Sequence, residues 1–373
     1  MSFQETNIKK LGFGLMRLPM INEEVDLEQT KQMVDLFLEK GFTYFDTAYG
    51  YLGGKSEAAA KAALVDRHPR DSFQLATKLP AWAGATTAEE AKNMFWTSLE
   101  RTGAGYFDYY LFHNLGGDRT KAFDDFAIWD FLAEQKHKGL IKRLGFSFHD
   151  TADVLDGLLH EHPDMDFVQL QINYADWESQ SIQSRKCYEV ARSHGKPVII
   201  MEPVKGGSLA NLPQNVAEPM CRFAPERSLS SWALRFAASL DGLITVLSGM
   251  SSLEQMKENL STMEPFEPLS PEERQVVDEV QKRLESVERI PCTDCQYCVK
   301  GCPQKVVIPR IFSAMNTLLV YNNLEGAKGN YAWETRDGGK AGECVACGQC
   351  ESACPQHIAI IDELRRASSL LEG

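Results

Sequence analysis

From Leu11 onward, short runs of β-branched and aromatic residues alternate with longer stretches in which apolar positions recur every three or four residues. The short runs predict strands at Leu11 to Leu15, Tyr44 to Ala48, Phe73 to Lys78, Asp108 to His113, Arg143 to Ser147, Phe167 to Ile172, Val198 to Met201 and Leu243 to Leu247. The longer stretches predict helices, among them Leu27 to Lys40, Glu89 to Thr102, Phe123 to Lys138, Ser179 to Ser193 and Leu229 to Ala238. Most end at the glycine expected of a helix stop, at Gly41, Gly103, Gly139 and Gly195. Strands and helices in alternation imply a parallel sheet with right-handed crossovers. Eight such units over about 250 residues predict an α/β fold of the (β/α)8 TIM-barrel type, with its working residues at the C-terminal ends of the strands. A doubly wound open sheet is the competing arrangement, but no G-x-G-x-x-G stretch follows the first strand.

The pattern changes at EPFEPLSPEER, residues 264 to 274, a proline- and acid-rich exit from the barrel. A helix from Pro271 to about Val287 is expected next, and then a cysteine-rich segment. The domains are therefore expected at 1–270 and 271–373. Eight of the ten cysteines follow residue 290, which leaves Cys187 and Cys221 to act as small apolar side chains in the first part. A secreted disulfide framework needs a short chain and a leader, and MSFQETNIKK has no apolar core of that kind. At 43 % hydrophobic and 24 % charged residues the chain is ordinary globular material. Its net charge of −13, spread along the length, argues against nucleic acid or an anionic membrane as partner. No stretch approaches the roughly 18 apolar residues of a spanning helix, so a cytoplasmic location with no membrane partner is expected.

Residues 292 to 303 read CTDCQYCVKGCP and residues 344 to 355 read CVACGQCESACP, so C-x₂-C-x₂-C-x₃-C-P occurs twice. Thiolates at this spacing wrap one [4Fe–4S] cubane with three cysteines and send the fourth to the other cluster. Cys292, Cys295, Cys298 and Cys354 are expected to hold one cluster, and Cys344, Cys347, Cys350 and Cys302 the second. Two four-cysteine zinc sites are the bland alternative, although zinc knuckles are usually paired across a longer loop. This region resembles the two-cluster bacterial ferredoxins. It departs from them in the spacer between Cys302 and Cys344, whose IPRIFSAMNTLLVYN reads as helix and points to a small, mainly helical ferredoxin-like domain.

In the barrel, the second strand runs into YFDTAYGYLGGKSE, the third ends LATKLP and the fourth reads YFDYYLFHN. Asp46, Tyr51, Lys78 and His113 stand in the order and strand positions of the aldo-keto reductases, which the chain resembles over about residues 8 to 262. That resemblance implies carbonyl/alcohol interconversion with NADP or NAD. Tyr51 would be the proton donor, Lys78 the cation that tunes it, Asp46 the anchor of Lys78, and His113 the group that orients the substrate carbonyl. Tyr49 facing the site instead, and Lys78 with Asp46 forming a purely structural pair, remain open on the residues alone. The resemblance also implies cofactor contacts from Ser147, Gln171, Gly249, Ser251, Gln255, Glu258 and Asn259. Phe148 and Met201 stand where many members carry the Asn and Tyr that meet the nicotinamide, and no Arg or Lys occupies Gly249 to Gln255. Trp82, Trp177, Phe148 and His149 suggest a partly aromatic mouth.

A hydride moves two electrons and a [4Fe–4S] cluster one, so a flavin, bound or shared with a partner, would join the two chemistries. The partners expected are a small carbonyl or alcohol substrate and a ferredoxin or flavoprotein that exchanges electrons with the clusters. Two other readings are carried forward: a nicotinamide-dependent carbonyl reductase whose clusters are structural, and a non-catalytic iron–sulfur redox sensor.

Overall fold

The computed structural model describes residues 8–373. Contacts divide it into two compact units, one running to Pro203 and including Ala233–Leu269, the other formed by Val204–Trp232 and Ser270–Gly373. The first unit is a closed barrel of eight parallel strands: β1 (Leu11–Gly14), β2 (Tyr44–Asp46), β3 (Gln74–Leu79), β4 (Phe107–Leu115), β5 (Ile141–Phe148), β6 (Phe167–Gln171), β7 (Val198–Met201) and β8 (Leu243–Gly249). Each pairs with its neighbours in sequence, and β1 closes the ring on β8 with Gly14 opposite Gly249. All eight predicted strands are present. A two-stranded hairpin, Met20–Ile21 with Glu24–Val25, follows β1.

Two predicted helices differ from expectation, each for a local reason. The stretch from Phe123 to Lys138 is two helices, Asp118–Asp125 and Ile128–His137. Between them Ala127 is left-handed at φ 50°, and the N–H groups of Phe126 and Ala127 close the first helix on the carbonyls of Ala122 and Asp124. The helix predicted from Ser179 begins only at Ser184. The Ser179 hydroxyl accepts from the Ile182 N–H, and such short side-chain bonds compete with helix formation.

Inward residues alternate along the strands, and Tyr44, Ala76, Tyr109, Leu111, Phe167, Ile199 and Leu247 form the apolar layer inside the barrel. The wall there is tight at Gly145, where an added Cβ would lie 2.4 Å from the Phe167 carbonyl oxygen. Near the start of β4, Asp108 accepts hydrogen bonds from Arg70, Lys142 and the Leu75 N–H while its side chain is only 8 % exposed. Removing a buried anion that serves several donors leaves them unpaired. Asp108→Ala is expected to lower stability by about 2–4 kcal/mol in chemical denaturation monitored by circular dichroism.

The second unit is mainly helical. Its helices include Gln214–Phe223, Pro271–Ser286, Ile308–Tyr321, Leu324–Glu334 and Ile360–Leu371. Pro271–Ser286 starts at a capping box in which Ser270 and Glu273 satisfy each other's backbone N–H. It packs on Gln214–Phe223, and Arg283 pairs with Glu218 while Arg222 pairs with Glu279. The core gathers Ile290, Val306, Ile308, Ile311, Phe312, Met315, Tyr331, Ile360 and Leu364, with Cys298 and Cys350 buried among them.

Candidate functional site

At the C-terminal ends of β2 and β3, one level above the apolar layer, Asp46 and Lys78 are 3 % and 1 % exposed. The Lys78 ammonium donates to Asp46 Oδ1, to the Thr47 carbonyl at 2.8 Å and to Tyr51 Oη at 3.3 Å. Asp46 Oδ2 accepts from the Gln169 amide at 3.2 Å. Tyr51 follows β2 in a turn, and its ring lies edge-on to the His113 imidazole with centroids 5.7 Å apart. The backbone carbonyl of His113 accepts from Trp82 Nε1 at 2.8 Å. Tyr49 is turned elsewhere, its ring under the Arg101 guanidinium at 4.5 Å. Of the two tyrosines, Tyr51 is the one beside Lys78.

Burial pushes the Tyr51 phenol above its ordinary range, and the opposing pull of the Lys78 ammonium only reduces that rise. The phenol therefore keeps its proton at neutral pH and is poised as an acid rather than a base. Burial works against the Lys78 charge too, but Asp46 and Tyr51 outweigh it and hold the ammonium above its usual value. Burial raises the Asp46 carboxyl against the attraction of Lys78 and the Gln169 amide. Burial, helped by Lys78 and His149, holds His113 well below the normal imidazole range, so its ring is neutral. Buried His113 Nδ1 and Asn114 Oδ1 have no hydrogen-bond partner among the described residues. Unsatisfied buried polar atoms at a barrel mouth are what a ligand would satisfy.

The predicted nucleotide residues are distributed as follows. Ser147, buried on β5, accepts from the Asn114 N–H at 2.7 Å. Gln171 donates to Asp176 at 3.0 Å, whereas Gln169, two residues earlier on the same face of β6, reaches Asp46. Gln169 was missed by sequence reasoning, although the period of two along a strand would have paired it with Gln171. Phe148 is buried on the opposite side of β5 from Ser147, with its ring against Phe146, whereas Met201 packs on the layer inside the barrel. Gly249 ends β8. Ser251 Oγ donates to the Arg17 carbonyl, the Ser251 N–H donates to Gln255 Oε1, and Asn259 donates to Ser248 Oγ. The Glu258 carbonyl accepts from Ser261 and Thr262. Ser252 caps the helix Leu253–Met263, which starts at this rim.

In the second unit the two cysteine runs take the same backbone path. Positive φ angles recur at corresponding positions of the repeat, Asp294 and Ala346, Gln296 and Gly348, Lys305 and His357. The short helices Tyr297–Lys300 and Gln349–Ser352, which carry the third cysteine of each run, pack on each other. Cys292, Cys295, Cys298 and Cys354 line one cavity, walled by Ile308, Pro309, Phe312, Ile358 and Ile360. That is the set the spacing assigned to the first cluster. Cys344 and Cys302 both pack against the core that holds Cys350, and Cys347 is exposed. Burial pushes the Cys298 thiol up to about 11, and Cys292 and Cys350 upward as well, so thiolates there need a positive partner. Eight sulfur donors, six of them in or against the apolar core, fit iron–sulfur clusters in donor type.

Comparison with known proteins agrees with both halves. The aldo/keto reductase family model matches residues 10–282, and a 4Fe-4S dicluster domain matches residues 291–359. An aldo-keto reductase of Mycolicibacterium vanbaalenii is 28 % identical over 246 residues, 65 % of this chain and 80 % of that protein. One from Mycolicibacterium smegmatis is 33 % identical over 122 residues, and the chain spans 41 % of its length. Among solved structures, the holo form of an aldo-keto reductase from Bacillus halodurans superposes with a TM-score of 0.60 at 25 % identity, covering 73 % of this chain and 92 % of that one. A Klebsiella pneumoniae aldo-keto reductase in complex with NADPH, at 20 % identity and a TM-score of 0.56 over 74 % of this chain and 91 % of its own, shares the fold.

Proposed function

The chain belongs to the aldo/keto reductase family, with a 4Fe-4S dicluster domain following the barrel, and from that premise we propose that it interconverts a small carbonyl compound and its alcohol with NADP(H), exchanging electrons through two [4Fe–4S] clusters with a ferredoxin or flavoprotein. The observation that carries the reading is the buried Asp46, Lys78 and Tyr51 chain beside a neutral His113. The unsatisfied Nδ1 of His113 and Oδ1 of Asn114 suit a ligand at that mouth.

A bound nicotinamide supplies a hydride to the carbonyl carbon. Everything else falls to this chain's own groups. Neutral His113 hydrogen-bonds the carbonyl oxygen and orients it. Tyr51 Oη delivers the proton to that oxygen as negative charge develops on it, and solvent later restores the phenol. Lys78 stabilises the phenolate left behind, so burial, which opposes that anion, is partly offset just when it forms. Asp46 keeps Lys78 in place, and Gln169 keeps Asp46 from turning. The eight cysteines of the second unit, with Cys295 and Cys347 exposed, would hold the clusters, which would supply one-electron transfer. In the alcohol-oxidising direction a flavin, bound or on the partner, would accept the hydride of the NADPH formed and release its two electrons one at a time to the clusters.

The titrating groups predict the pH dependence. Tyr51 and Lys78 stay protonated above neutrality because both are raised, and His113 stays neutral below it because it is lowered. kcat/KM for carbonyl reduction should therefore be flat across neutrality and fall only in alkali beyond the ordinary phenol range, where Tyr51 ionises. A bell centred near neutrality would remove these groups from the proton transfer. The reading as a whole is tested on anaerobically purified protein by iron, sulfide and zinc content and by visible spectra before and after NADPH. About eight irons that bleach with NADPH support it. Zinc in place of iron defeats the cluster half, and iron that never bleaches, with or without added flavin, favours clusters of structural role.

A further inference from the structure

The sequence offers no cation in the stretch from Gly249 to Gln255, at the rim assigned to the adenine end of the nucleotide, and the first turn of the helix Leu253–Met263 adds an acid, Glu254. The side chains of that segment offer a phosphate monoester no opposite charge. The fold supplies what the segment lacks. Because β1 lies beside β8 with Gly14 opposite Gly249, the short 3₁₀ turn Leu15–Arg17 that follows β1 comes down over the end of β8. The Arg17 carbonyl is tied to Ser251 Oγ at 2.9 Å. Its aliphatic stem crosses Gly249 so closely that an added Cβ there would lie 3.3 Å from Arg17 Cβ and Cδ. Gly249 thus makes the groove in which the arginine lies. The side chain is exposed, and among the described residues no carboxylate pairs with its guanidinium.

We propose that Arg17 is the phosphate-recognising cation of this barrel, selecting the 2′-phosphate of NADP(H) over the 2′-hydroxyl of NAD(H) from the loop after β1. The inference rests on the nicotinamide reading of the site. A guanidinium suits the task because its planar donors pair with two phosphate oxygens at once and its charge never titrates away. Ser251 lies beside it, tied to the Arg17 carbonyl, and the start of an eleven-residue helix favours an anion. The diphosphate is common to both nucleotides, so a contact confined to it would weaken both alike.

The test is a fluorescence titration of the anaerobically purified, iron-replete full-length protein with NADPH and with NADH. Wild type should bind NADPH the more tightly. Arg17→Gln should weaken NADPH by about ten- to hundredfold and change NADH by no more than about threefold. Gly249→Ala, which displaces the Arg17 stem, should move NADPH in the same direction. A wild-type preference for NADH, or an Arg17→Gln variant with an unchanged NADPH-to-NADH ratio, overturns the assignment while the nicotinamide reading survives. Wild-type protein that retains its iron and binds neither nucleotide ends that reading, and this assignment with it.

Discussion

Tyr51→Phe is expected to lower kcat for carbonyl reduction by about 10²- to 10⁴-fold while leaving NADPH affinity within about twofold. The substitution removes one oxygen from a ring whose other contacts, edge-on to His113 and over the Lys78 ammonium, are kept. The size follows from what the hydroxyl would do. The proton must reach the carbonyl oxygen as hydride reaches carbon, and Asp46, the other acid on Lys78, is held as the acceptor of Lys78 and of the Gln169 amide. Tyr49 is held under Arg101 and is no substitute. Stopped-flow mixing with NADPH followed by steady-state assay separates the two quantities. Full turnover in Tyr51→Phe would return Asp46 and Lys78 to the role of a structural ion pair and assign the proton transfer to another group.

Cys298→Ala should be the most damaging change in the second unit. Cys298 lies in that unit's core and lines the same cavity as Cys292, Cys295 and Cys354. Alanine removes one of four sulfur ligands, and where metal binding and folding are coupled the loss of the cluster is also a loss of stability. Iron is expected to fall from about eight to about four per chain, with an earlier thermal transition. Cys187→Ala is the control. That thiol is buried in the helix Ser184–Ser193, far in sequence from both cysteine runs, and its replacement should leave iron unchanged. Full iron in Cys298→Ala would mean the ligand set is wrong.

The candidate site was legible to different depths. Asp46, Lys78 and His113 stand at strand ends, and a parallel barrel gathers strand ends at one face, so their meeting could be anticipated once eight units had been counted. The choice of Tyr51 over Tyr49 could not. Both follow the same strand within a few residues, and the turn that starts at Tyr51, with Leu52 and Gly53 in positive φ, separates them. The tuning of Tyr51 also went beyond the residue list. A neighbouring cation was expected to make the phenol more acidic, but its burial is the larger effect and holds the proton on. Gln169 and Gln171 differ in the same way: alternate positions on one strand face the same side, and only the neighbours decide which amide meets Asp46.

What the sequence by itself determined is whatever rests on short-range order. Apolar periodicity of two and of about 3.6 is imposed residue by residue, and it sufficed for eight strands, most of their helices and the barrel. Two identical cysteine spacings pointed to the 4Fe-4S dicluster domain, because each run sets three of the expected ligands of one cubane within a few residues. The tertiary structure alone decided what depends on closure and on packing between distant segments. It joined Val204–Trp232, which lies within the run of barrel units, to the unit that carries the cysteines. It also set Arg17 beside Ser251, 234 residues away along the chain. No local preference encodes that meeting, because it comes from the register in which the first strand seals the barrel against the last.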